Sequence, residues 1–205
     1  MNSIKIKLSK TDEDLFLQSK WWGNPDVPEG FEVPDLPTFI CQIRCDEIAE
    51  FDEDNLLPHK GMLYFFSDLE YYFGEDDEMP EYLEDLKVVY IEDIETPTFE
   101  QVVYVDDDDK PYALKELAIE FSKGEPFCDG NKLLGEPHDR EWEDWYEPYT
   151  GWTELLQVVS DNYEDYNDRS GFLNFMDEGS LHFIIDPKDL KKRNFDNVVA
   201  LICST

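Results

Sequence analysis

One pattern of turn, strand, loop and strand occurs twice along this chain, and that repetition limits what it can fold into. The first copy reads Gly23-Asn24-Pro25, then Thr38-Phe39-Ile40-Cys41-Gln42-Ile43, then Gly61-Met62-Leu63-Tyr64-Phe65-Phe66-Ser67-Asp68. The second reads Gly135-Glu136-Pro137, then Thr153-Glu154-Leu155-Leu156-Gln157-Val158, then Gly179-Ser180-Leu181-His182-Phe183-Ile184-Ile185-Asp186. The offsets are 135−23 = 112, 153−38 = 115 and 179−61 = 118. Segments that keep the same order at so steady a spacing fold as two copies of one supersecondary unit. The expected organisation is a single globular domain over residues 1–205, with repeats at about 20–105 and 133–205 joined by a helical linker at 106–132.

Local patterns fill in that frame. Ile4-Lys5-Ile6-Lys7-Leu8 alternates as a strand does, and Ser9 to Ser19 reads as a short acidic helix. Pro25, Pro28, Pro34 and Pro37 hold the next segment in extended and turn geometry. Strands are expected at Phe39–Ile43, Met62–Phe66, Val88–Ile91, Val102–Val105, Leu155–Val159, Leu181–Ile185 and Val198–Ile202, with helical turns at Asp46–Phe51 and Pro187–Lys192. The strongest helical signal lies between the repeats, where Asp109 caps, Pro111 fits a first turn, and Leu114, Leu117, Ala118 and Phe121 share a face before Gly124. The fold class is therefore α+β: duplicated, mostly antiparallel sheet units, few helices, and a linking helix near 110–123.

The 205 residues carry 50 acidic against 17 basic side chains, a formal net charge of −33. Charge without aromatics reads as disorder, but 14 Phe, 11 Tyr and 5 Trp supply a core, so the acids form a skin on a folded body. Such a surface repels a phosphate backbone and an anionic bilayer alike, so neither nucleic acid nor membrane is expected as a partner. The basic cluster Lys188, Lys191, Lys192 and Arg193 suits the carbonyl end of a short helix. No apolar run spans a bilayer and no signal peptide opens the chain. Cys41, Cys45, Cys128 and Cys203 lack zinc-site spacing and read as reduced, structural residues, which makes the cytoplasm the expected compartment.

At these same residues the chain resembles the YwqG-like family, bacterial proteins long carried as a domain of unknown function. The resemblance runs from about Ser19 to the C-terminus, through Gly23-Asn24-Pro25, Pro28-Glu29-Gly30-Phe31-Glu32, Phe39-Ile40-Cys41-Gln42-Ile43 and Lys60-Gly61-Met62-Leu63-Tyr64-Phe65-Phe66. It continues through Leu133-Leu134-Gly135, Leu155-Leu156-Gln157 and Phe195-Asp196-Asn197-Val198-Val199. It implies an α+β fold with an internal duplication and brings no catalytic residues with it. The chain departs from the family in its second copy, where Asp177-Glu178-Gly179 and His182-Phe183 stand in place of an acidic turn and an aromatic pair.

Candidate chemistry is sparse. Gln42 and Gln157 occupy the same place in both copies and would line a polar pocket if the repeats met there; otherwise each satisfies buried backbone groups. Asp68 and Asp186 also correspond, and read as caps of the helical turns that follow them. The runs Glu75-Asp76-Asp77-Glu78 and Asp106-Asp107-Asp108-Asp109 lack calcium-loop spacing, and His59, His138 and His182 lack helical zinc spacing. No glycine-rich phosphate loop, serine elbow or Cys–His pairing stands out, so no catalytic residue, metal site or cofactor is assigned. Trp142-Glu143-Asp144-Trp145-Tyr146 is different in kind, because aromatic anchors between acids suit a basic protein surface. The expected function is a non-enzymatic acidic module that binds a basic protein partner, of the kind an immunity or antitoxin protein provides. The alternative is a ligand binder or enzyme with its pocket between the repeats. The sequence sets no oligomeric state.

Overall fold

The computed structural model describes residues 1–36, 38–74, 86–105, 108–136, 149–162, 172–175 and 179–203. The strands in chain order are β1 (Ser3–Ser9), β2 (Lys20–Trp21), β3 (Asp26–Pro28), β4 (Thr38–Arg44), β5 (Met62–Ser67), β6 (Leu86–Ile91) and β7 (Phe99–Gln101). They continue as β8 (Leu117–Gly124), β9 (Lys132–Leu134), β10 (Thr153–Val159), β11 (Asp161–Asn162), β12 (Phe172–Leu173), β13 (Ser180–Ile185) and β14 (Val199–Cys203). Among the described residues three short helices accompany them: α1 (Cys45–Ile48), α2 (Glu70–Phe73) and α3 (Pro187–Lys192).

Ten strands form one antiparallel sheet in the order β14-β13-β10-β9-β1-β8-β2-β4-β5-β6, curled until it nearly closes. The order is matched about its centre: β1 and β8 are the middle pair, and outward from them β9 answers β2, β10 answers β4, β13 answers β5 and β14 answers β6. The match extends to single residues. Lys20 pairs with Gln42 and Gln42 with Tyr64 in one half; Lys132 pairs with Gln157 and Gln157 with His182 in the other. Each half breaks register at the same place, between Phe39 and Cys41 and between Glu154 and Leu156. Each also leaves its short strand through two consecutive left-handed residues, Trp22 and Gly23 (φ 58° and 81°) or Leu134 and Gly135 (φ 56° and 95°). Glycine accepts that conformation without the steric cost other residues bear.

The expected α+β class is overturned: the protein is mostly β, with about 9% of the described residues helical. The linking helix expected near 110–123 is instead strand β8, paired with β1 from Ser3 opposite Gly124 to Ser9 opposite Ala118 and with β2 on its other side. Leu117, Ile119 and Phe121 fit a period of two as readily as Leu117, Ala118 and Phe121 fit a helix face. Ladders on both edges decide between these readings, since strand preference is set by neighbours more than by the residue itself. Ser9–Ser19 is likewise not helical, and Val102–Val105 contributes only an isolated bridge from Val105 to Pro111.

Curling brings the halves face to face around one core. Phe65 of β5 meets Phe183 of β13 edge-on at 5.5 Å, and Leu63, Leu133, Leu156 and Leu181 are fully buried in the same cluster. The opposite face of the first half is covered too: Phe39, Met62, Tyr64 and Phe66 pack beneath Val27, Phe31, Val33 and Leu36. On the opposite face of the second half Ile184 and Leu201 pack with Tyr149, Trp152, Val199 and Cys203.

Candidate functional site: two buried ion pairs and a serine–histidine–glutamate chain

Each half-sheet buries a lysine at the end of its short strand. In the first, the Lys20 ammonium lies 2.9 Å from Asp26 and 3.6 Å from Glu116, with Lys20 and Asp26 both inaccessible to solvent. Asp26 is tied down by the Leu17 N–H, the Gln101 amide and the Gln42 amide, and Tyr64 donates to its carbonyl. In the second, Lys132 reaches Glu154 at 3.2 Å and donates to the carbonyls of Cys128 and Glu136. Buried ions persist only when paired and hydrogen-bonded in this way.

The two sequence-predicted pocket residues end up inside these clusters, not in a shared cleft. Gln42 accepts the Asp26 N–H and donates to the Gln18 carbonyl and to Asp26, all between 2.7 and 2.9 Å. Gln157 donates to the Gly130 carbonyl at 2.9 Å. β4 and β10 are separated by β2, β8, β1 and β9 in the sheet. Both amides are at most 5% exposed, and each serves its own half. Trp142, Glu143, Asp144, Trp145 and Tyr146 lie outside the described residues, as do His138 and Glu75–Glu78.

Asp186 caps α3 by accepting the Lys188 N–H at 2.8 Å, and Asp68 accepts the Glu70 N–H at 3.2 Å just ahead of α2. His59 sits 3.1 Å from Asp52, which also holds the Leu57 N–H. The four cysteines are free thiols. Burial raises the Cys41 thiol well above its ordinary range and pushes Cys45 up to about 12, so both pack as neutral apolar groups rather than as nucleophiles. Among the described residues no group of three or more His, Cys, Asp and Glu is arranged to hold a metal ion.

One arrangement escaped the sequence reading. On β13, Ser180 and His182 point to the same face, two residues apart, and the Ser180 Oγ lies 2.7 Å from His182 Nε2. On the adjacent β10, Glu154 Oε1 lies 2.5 Å from His182 Nδ1. Glu154 and His182 are buried, while Ser180 is partly exposed. No motif search finds this set, because two members are strand neighbours and the third joins them only through register. The signal present in the sequence was the departure of the second copy from the first at His182.

An open cleft of about 490 Å³ lies elsewhere, beyond the ends of β4 to β6, lined by Arg44, Asp46, Lys60, Glu92, Asp93 and Glu95 among others. Its two cations are engaged, Arg44 with Asp46 and Lys60 with Glu92. The Thr96 and Glu95 N–H groups bond Asp93 and hold its carboxyl below the usual range, so the rim keeps its negative charge.

Fold and site together define a class: a mostly β protein on a curled antiparallel sheet with matched halves, each stabilised by a buried lysine–carboxylate pair. The chain belongs to the DUF1963 family, a domain of unknown function, whose model matches residues 19–203. No curated protein matches the chain.

Proposed function

We propose that this chain is a protein-binding module whose acidic surface recruits a basic protein partner. The net charge of −33 carries the reading, because a surface field of one sign concentrates and orients oppositely charged partners. The acid-rimmed cleft at Glu92, Asp93 and Glu95 is consistent with it, and Trp142–Tyr146 supplies aromatic anchors between acids. An immunity or antitoxin role is the concrete form, in which the acidic protein covers a basic toxin. The ordered motifs from Gly23 to Val199 support placing it with the YwqG-like proteins of bacteria, and four free thiols suit the cytoplasm. The pocket reading at Gln42 and Gln157 is not carried forward, since both amides are spent on local bonds.

The test is kinetic. A partner purified from the native cell should associate more slowly as salt passes physiological strength, where the Debye length is about 8 Å. Glu143→Lys with Asp144→Lys should slow it further. An association rate indifferent to both salt and these substitutions rejects the reading.

A further inference from the structure

Because the half-sheets match residue for residue, each serves as a control for the other. The registers make His182 the counterpart of Tyr64 (182−64 = 118), Ser180 that of Met62 (180−62 = 118) and Glu154 that of Phe39 (154−39 = 115). Lysine and glutamine stand in both halves, at Lys20 and Gln42 and at Lys132 and Gln157. The other three positions diverge. Glu154 does for Lys132 what Asp26 does for Lys20, and His182 stands where the Tyr64 hydroxyl donates to the Asp26 carbonyl. Ser180 extends that network from His182, where the first half has Met62 in an apolar cluster. The first half shows that a buried lysine–carboxylate pair is satisfied without a histidine and a serine beside it. The buried Lys132 accounts for the Glu154 carboxylate; what it does not account for is the imidazole set between that carboxylate and the Ser180 hydroxyl.

We propose that Ser180 is an activated nucleophile with His182 as its general base, acting on small uncharged or cationic carboxylic esters. This goes beyond the surface-binding reading and does not rest on it. The Glu154 carboxylate, held by Lys132 at 3.2 Å, is an acceptor only and takes the Nδ1–H of His182. Nε2 is left with its lone pair toward the Ser180 hydroxyl at 2.7 Å. Glu154 is thus a positioning residue that fixes tautomer and ring orientation. As Oγ attacks the acyl carbon its proton passes to Nε2; the ester C–O bond breaks and the alcohol leaves with that proton. Water then adds to the acyl-serine through the same base, releasing the carboxylic acid and restoring the hydroxyl, with no change of oxidation state. The charge of −33 disfavours anionic esters.

A fluorophosphonate probe tests this on the full chain: the Oγ–P bond forms, the P–F bond breaks, the proton passes to His182 and fluoride departs. Wild-type protein should gain one phosphonyl group, placed on Ser180 by tandem mass spectrometry. Ser180→Ala should take none while keeping its near-ultraviolet circular dichroism. His182→Gln should slow labelling on the order of 100-fold, and Glu154→Gln should slow it and displace the midpoint of its pH profile. A separate measurement does not depend on those variants folding well: the thiol of Ser180→Cys should react with iodoacetamide near neutral pH faster than the four native cysteines. Folded wild type that takes no label, label on a different serine, labelling unaffected by His182→Gln, or a Ser180→Cys thiol no faster than the native ones would each overturn the proposal.

Discussion

At Gln42 one carboxamide accepts the Asp26 N–H and donates to both the Gln18 carbonyl and the Asp26 carboxylate, tying β3 to β4. Gln157, its counterpart, is bonded to the Gly130 carbonyl among the described residues. Each buried partner left unsatisfied costs about 1–3 kcal/mol. Gln42→Leu should therefore lower the urea unfolding free energy by clearly more than Gln157→Leu, and equal losses would contradict these bonding patterns. A second effect belongs to the buried thiols and phenols. Burial raises Cys41, Cys45, Tyr64 and Tyr72, with Cys45 and Tyr72 at about 12. A raised folded-state value means the fold favours the neutral form. That contribution is complete below the ordinary values, near 9.0 for thiols and 10.0 for phenols, and is lost as pH climbs toward the folded ones. The urea midpoint should stay level with respect to these groups up to about pH 9 and fall above it. Cys45→Ala should lessen the fall, and a midpoint unchanged through pH 11 would be inconsistent with this burial.

Among the elements, β1 has the most exposed sequence position and the most central structural one. It lies before the family match at residues 19–203, yet it joins β8 to β9 at the middle of the sheet. Removing residues 1–9 should abolish cooperative thermal unfolding, because it leaves β8 and β9 with bare edges and divides the sheet. A truncated protein with a sharp transition would show that each half folds without it. Leu63 and Leu181 are matched core positions, both fully buried. Alanine at either should cost about 2–5 kcal/mol, measured by urea denaturation. The β-hairpin β4–β5 and its counterpart β10–β13 were legible from apolar runs bounded by turns, as was α3 from Asp186, Pro187 and its basic last turn. β8 was not, because its spacing suits helix and strand alike and only the presence of β1 and β2 alongside resolves it.

Over the whole molecule the charge of −33 opposes compaction through self-repulsion. Raising salt from about 0.01 M to about 0.15 M shortens the Debye length from about 30 Å to about 8 Å. The melting temperature should rise over that range; a fall would mean that exposed pairs such as Lys7–Glu120 and Lys123–Glu53 outweigh the net repulsion. Charge, repetition and apolar runs are properties of the chain itself, and so the acidic surface, the paired strand order and the core leucines were readable along it. Which residues become neighbours is set by pairing between strands far apart in sequence, and pairing depends on the sum of all ladders rather than on any one segment. That is why tertiary structure alone decided that 117–124 is a strand. It also separated Gln42 from Gln157, and it drew Glu154 of β10 against His182 and Ser180 of β13.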